Sequence, residues 1–126
     1  MDITEIRNRL DGNRAEIRQK MVDAAKNAST LSYGDLFSPY GMDMGYDSQR
    51  ALAGTFLGEI CAEEHNAGRH LLSVLVVHAD DKKPGDGFFG LADELGFSIN
   101  KRSPSNKKTE FFVKQLKLVY DYWAKH

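Results

Sequence analysis

Apolar residues return along this chain at intervals of three and four, broken by one run in which they are nearly continuous. Ile3, Ile6 and Leu10 fall on one side of a predicted helix, opened by a capping-box pattern of Asp2 and Glu5. Asp11–Asn13 ("DGN") interrupts it, because glycine is costly inside a helix and common past its end. Asn13 and Glu16 repeat the capping pattern, and Ile17, Met21 and Ala24 extend the stripe. Residues 1–29 are therefore expected to form two helices, or one kinked helix, ending near Asn27. "TLSYGDLFSPYG" (Thr30–Gly41) predicts a helical turn capped by Ser32 and stopped by Pro39 and Gly41, and Met42–Asp47 is an aperiodic loop. A strong helix follows, with Asp47 or Ser48 as cap. Leu52, Phe56 and Ile60 share its face, and Gly68 is placed just past its end.

The continuous run is Leu71–Val77, rich in β-branched residues and read as a strand covered on both faces. A lone strand needs a partner for its backbone groups, and Phe97–Ile99 ("FSI") is the leading candidate. Asp80–Gly87 is a turn, followed by a two-turn helix carrying Phe88, Leu91, Ala92 and Leu95 and ended by Gly96. Asn100–Lys108 is expected as an exposed basic loop. A last helix, Thr109–Lys125, is expected to bury Phe112, Leu116, Val119 and Trp123. The pattern predicts an α+β fold, mostly helical, with one main buried strand in a small two- to three-stranded sheet. It divides into N-terminal helices (1–29), a core (30–99) and a basic loop with the C-terminal helix (100–126).

Composition narrows this to a single globular domain: 126 residues, 41% hydrophobic and 28% charged. No apolar run approaches the roughly 20 residues of a membrane span. The start "MDITEIRNRL" lacks the apolar stretch of a secretory signal, so a cytoplasmic location without membrane contact is expected. A single cysteine, Cys61, excludes an internal disulfide and is read as a core residue. The net charge of −1 conceals an asymmetry, with +5 from Lys101 onward and −6 before it.

The chemistry-bearing residues are few. Asp86 occupies the expected cap position after the glycine-rich turn, where its carboxylate would take the free amides that a phosphate would otherwise need. Gly85 and Gly87 are accordingly read as corner residues. Tyr33, Phe37, Tyr40 and Tyr46 cluster before the main helix, and Arg50 opens that helix, within reach of phosphate oxygens. His78, Asp80 and Asp81 follow the strand and, with Glu59 or Glu63, form a candidate set for a divalent ion that activates water.

"TLSYGDLF", "SQRALAGTFLG" and "LLSVLVV" with its glycine-bearing turn resemble, in that order, the DNA-binding region of alkylguanine DNA transferases and their relatives. Tyr33 matches the tyrosine of the family's short helix, and Arg50 with Ala51 and Leu52 matches the start of its recognition helix. The resemblance implies a winged-helix-like core. It also implies a tyrosine that rotates the target nucleotide and an arginine that fills the vacated stack. The family's Pro-Cys-His-Arg motif is absent, with Ser73 nearest its reactive position, so alkyl transfer is excluded. "LLSVLVV…PGDGFF" is also similar to a set of small uncharacterised bacterial proteins.

The expected function is a small, non-enzymatic nucleic-acid-binding module with no cofactor. Tyr33 and Arg50 would serve the recognition helix, Lys82 and Lys83 a wing tip, and Lys101, Arg102, Lys107 and Lys108 a basic flank. One alternative is a protein-interaction module, dimeric through its strand edge or through the C-terminal helix, which displays Phe111, Tyr120 and Tyr122. The other is a metal-dependent hydrolase built on the strand-end set.

Overall fold

A computed structural model describes residues 2–126 as an α+β fold that is mostly helical. The helices are α1 (Ile3–Gly12), α2 (Arg14–Lys26), α3 (Tyr33–Phe37), α4 (Asp47–Asn66), α5 (Asp86–Glu94) and α6 (Ser105–Ala124). Local signals account for most of their ends. The Asp2 carboxylate accepts the amide of Glu5 at 2.8 Å, and the Ser32 hydroxyl accepts that of Asp35 at 3.0 Å. Gly41, Gly68 and Gly96 take the left-handed conformation that a side chain would strain, with φ of 83°, 78° and 96°. Two expected caps are not used. The Asn13 side chain donates back to Arg9 O, and α4 starts after Tyr46 with no side-chain cap.

The apolar run behaves differently from the expectation. Leu71–Val77 is buried throughout, yet Leu72–Leu75 winds into a 3-10 turn and only Val76–Val77 is extended (β2). The reason lies in what surrounds it. The 3-10 turn packs against α2, α4 and α6, so an extended chain there would find helices rather than strands to pair with. A 3-10 turn satisfies its amides locally, as in Val74 N to Leu71 O at 3.0 Å.

The partner of β2 is also not "FSI", which forms no strand. It is Leu31–Ser32 (β1), paired in parallel with Leu31 opposite Val76 and Ser32 opposite Val77. Among the described residues the sheet has these two strands and no antiparallel hairpin.

The helices are tied together by charge as well as by core. Arg7 Nη2 reaches Glu59 Oε1 at 2.7 Å, and Arg14 bonds both Glu59 (3.2 Å) and Glu63 (2.6 Å), joining α1 and α2 to α4. Both guanidinium groups lie over the Phe56 ring, 5.8 and 5.6 Å from its centre. The buried face of α6 is rotated from the expected stripe: Gln115, Val119 and Trp123 are enclosed, while Phe112 and Leu116 are half-buried. This helix begins at Ser105, so Lys107 and Lys108 belong to its first turns and not to a loop. No described helix is long and apolar enough to cross a membrane.

Candidate nucleic-acid interface

The parallel register decides which side chains meet. Because Ser32 lies opposite Val77, the next residues along the two strands, Tyr33 and His78, emerge side by side. Their ring centres are 4.9 Å apart at 39°. Side chains at the carboxyl ends of parallel strands are where open α/β sheets place their ligands, and this pair is a two-stranded version of that position.

The chain then folds back over the pair. His78 N bonds Lys83 O at 2.9 Å and Lys82 N bonds His78 O at 3.0 Å, closing a tight turn with Lys82 at φ 57°. Gly85 N donates to the Tyr33 hydroxyl oxygen at 3.1 Å. The Tyr33 hydroxyl donates to no acceptor among the described residues. Burial, partly offset by the Gly85 bond, raises the phenol above its ordinary range. A Cβ at Gly85 would lie 3.3 Å from both His78 Nε2 and the Tyr33 hydroxyl. Its φ of −73° is open to any residue, so the glycine supplies space here and not conformational freedom.

The expectation for Asp86 is corrected. Gly85 is the cap of α5, no side chain caps it, and Asp86 is the first helical residue with its carboxylate 3.6 Å from Lys108 Nζ. The amides of Asp86 and Gly87 consequently have no acceptor among the described residues.

Between α4 and α5 runs a groove of about 890 Å³. Its floor is the small-residue face of α4, chiefly Ala51, Gly54 and Gly58, and its walls include Tyr33, His78, Gly85–Phe88 and Leu91. Arg50 and Lys101 line it as well. Tyr33, Arg50 and the glycine turn thus share one concave surface. Arg50 is exposed and is held by the Met44 carbonyl at 2.7 Å and by the Asp47 carboxylate. Lys82 and Lys83 are exposed on the turn outside the lining. Arg102 and Lys107 are exposed nearby in the chain, and Lys108 is partly buried, its amine 5.3 Å from the centre of the Phe89 ring.

The sequence marks His78 only as a candidate metal ligand. Its place beside Tyr33 depends on a strand partner, Leu31–Ser32, that no alternating pattern announced.

The metal set does not assemble. Glu59 and Glu63 are engaged by Arg7 and Arg14, and hydrogen bonding from Arg7 holds the Glu59 carboxyl below its usual range. Asp80 and Asp81 accept turn amides, at 2.8 Å from Asp81 and 3.0 Å from Lys83. Among the described residues no three His, Cys, Asp or Glu side chains come together around a common point.

The residues expected to be displayed on α6 are also occupied. Phe111 packs against Phe88, Phe89 and Phe97, Tyr122 against His70 and Trp123, and Tyr120 donates to Ser29 O at 2.9 Å. Cys61 is fully enclosed, and burial pushes its thiol up, away from nucleophilic use. The chain matches no protein-family model, no curated protein and no solved structure.

Proposed function

We propose that this chain is a non-enzymatic module that binds a nucleic-acid strand in the α4–α5 groove. One observation carries the proposal: the parallel register sets Tyr33 and His78 together beneath the glycine turn, on the surface that Arg50 and Lys101 also line. A phosphate entering there meets the free Tyr33 proton, the open amides of Asp86 and Gly87, and the cations Arg50 and Lys101, set against the carboxylates of Glu59, Asp86 and Glu94 in the same lining. The small floor of α4 leaves room for sugar and base. In the winged-helix-like form of this proposal, α3 and α4 act as the paired helices, and the Lys82–Lys83 turn takes the part of a wing tip.

The charge distribution sets the strength. Arg50 is partly neutralised by Asp47, Asp86 by Lys108, and the sequence pI is near 6.4. Binding is thus weak and confined to few phosphates. Fluorescence anisotropy with labelled single-stranded and duplex probes, from low to moderate salt, tests it. With Arg50 and Lys101 as the two cationic contacts, log K falls against log salt with a slope of about −1.4 for a single strand. A slope near −4 would assign binding to the wider lysine set instead. No binding of either probe at low salt removes the proposal.

A further inference from the structure

On α4 the groove lining ends at Ala62. His65 stands on the same face of α4 as Ala62, one turn further on. There a second cavity of about 210 Å³ is lined by His65, His70, Leu71, Phe97, Gln115 and Leu118. It is smaller than the pockets of about 300 Å³ and more that hold drug-sized ligands, and suits one planar ring. Its walls are largely aromatic or apolar. The His65 ring lies 5.5 Å from Phe97, tilted by 60°, and Leu71 is buried.

Gln115 is the unusual member. Its side chain belongs to a residue 4% exposed, lines this cavity, and makes no hydrogen bond to any described residue. Trp123 Nε1 is the one fully enclosed side-chain atom without a partner among the described residues, so the Gln115 amide keeps its opening through the cavity. Buried amides are nearly always bonded, and an apolar residue of similar size would serve the core better. α6 has such residues beside it, in Phe112 and Leu116, and leaves them less buried.

We infer that the second cavity receives an unstacked nucleobase, with Gln115 bonding its edge. The inference rests on the nucleic-acid proposal, since the base belongs to the strand whose phosphates occupy the groove. Single-stranded bases are held elsewhere by aromatic walls and by side-chain bonds to their edges, which is the provision made here. A carboxamide offers a donor and an acceptor side by side, the pairing that suits the N6–N7 edge of adenine. The helical rise from Arg50 to His65 is about 22 Å, which accommodates several nucleotides between the groove's outer cation and the cavity.

The test compares the wild type with Gln115→Leu, which keeps the volume and removes the amide. Hexamers of deoxyadenosine, of deoxythymidine, and of deoxyadenosine with an abasic position serve as probes, followed by amide and imidazole NMR signals. The adenine hexamer is expected to shift the Gln115 side-chain amide and the His65 and His70 rings together with Gly85 and Arg50. Gln115→Leu is expected to melt no lower than the wild type, to bind the adenine hexamer about tenfold more weakly, and to lose the preference for adenine over thymine. If the hexamers shift the groove signals alone and the variant binds as the wild type does, the base site is refuted and the groove proposal stands. If no probe shifts either set, both fall. A variant that binds weakly because it melts well below the wild type also refutes the inference, since the amide would then be structural.

Discussion

Replacing Glu64 with alanine removes a carboxylate that α4 buries at its junction with α2. The side chain is 2% exposed and accepts Arg18 Nε and Arg69 Nε at 2.5 Å each, with Arg69 Nη2 at 3.3 Å. Arg18 also lies over the Trp123 ring, 5.7 Å from its centre, so one acid ties α2, α4, α6 and the segment after α4. Breaking a wholly buried pair costs about 3–5 kcal/mol, and an exposed pair about 0–1. Here the acid is enclosed but its arginines are 33% and 34% exposed and can hydrate when released. The expected loss is about 2–3 kcal/mol for Glu64→Ala and about half that for Glu64→Gln, which keeps an acceptor oxygen. At about 3–4 °C per kcal/mol for a chain of this size, Glu64→Ala should lower Tm by about 6–12 °C in circular dichroism melts. Burial works against the charge, but the bonds from Arg69 and Arg18 outweigh it and hold the carboxyl below its ordinary range. Its contribution is therefore complete above the unfolded glutamate value of about 4.3 and is lost as pH falls through the lower native value. The Tm gap between wild type and Glu64→Gln should stay constant from neutral pH to about 5 and close on further acidification. A Glu64→Ala protein within about 0.5 kcal/mol of wild type would show that desolvation cancels the attraction, and the reasoning would fail.

Three further outcomes follow from the groove and its surroundings. Gly54→Ala adds a methyl group that meets nothing within 4 Å inside a helix, so it should stabilise by about 1 kcal/mol in melts while weakening strand binding. An unchanged affinity would mean that the strand keeps clear of the α4 floor. Tyr33→Phe leaves Gly85 N without its acceptor and should cost about 1 kcal/mol. It should also delete one of the two phenols, Tyr33 and Tyr120, whose burial makes them ionise late in an alkaline absorbance titration. Because both native values are raised, stability should fall as pH climbs past about 10, and less so in Tyr33→Phe. Cys61 should resist an aromatic disulfide reagent in the native protein and react only on unfolding; rapid native labelling would contradict its enclosed position.

Much of the architecture was legible because it rests on local physics. Helical spacing with caps and glycine stops places α1, α4 and α5 nearly to the residue, and Ser32 and Gly41 bound the short helix after β1. The apolar run Leu71–Val77 was not legible as a 3-10 turn. A continuous hydrophobic stretch states that it is buried, and its neighbours decide whether it is extended. Leu31–Ser32 is two residues long with no alternation, so its pairing exists only once the helices have brought it to Val76. Glu64 and Gln115 look like solvated positions in sequence, because their enclosure comes from distant partners. Of the candidate site, residue type and resemblance mark Tyr33, Arg50 and the glycine turn, which line one groove. His78 as Tyr33's neighbour, the uncapped start of α5 and the cavity at Gln115 depend on tertiary placement.

The most direct measurement is photocrosslinking of a single-stranded oligomer carrying 5-iodouracil, with the attached peptides mapped by mass spectrometry. Attachment is expected at Tyr33 and His78, suppressed by unlabelled strand and reduced when Gly85 is changed to a residue whose side chain fills the space between them. Attachment confined to the lysines of α6 and the loop before it, with Tyr33 and His78 untouched, would rule out strand binding in the α4–α5 groove.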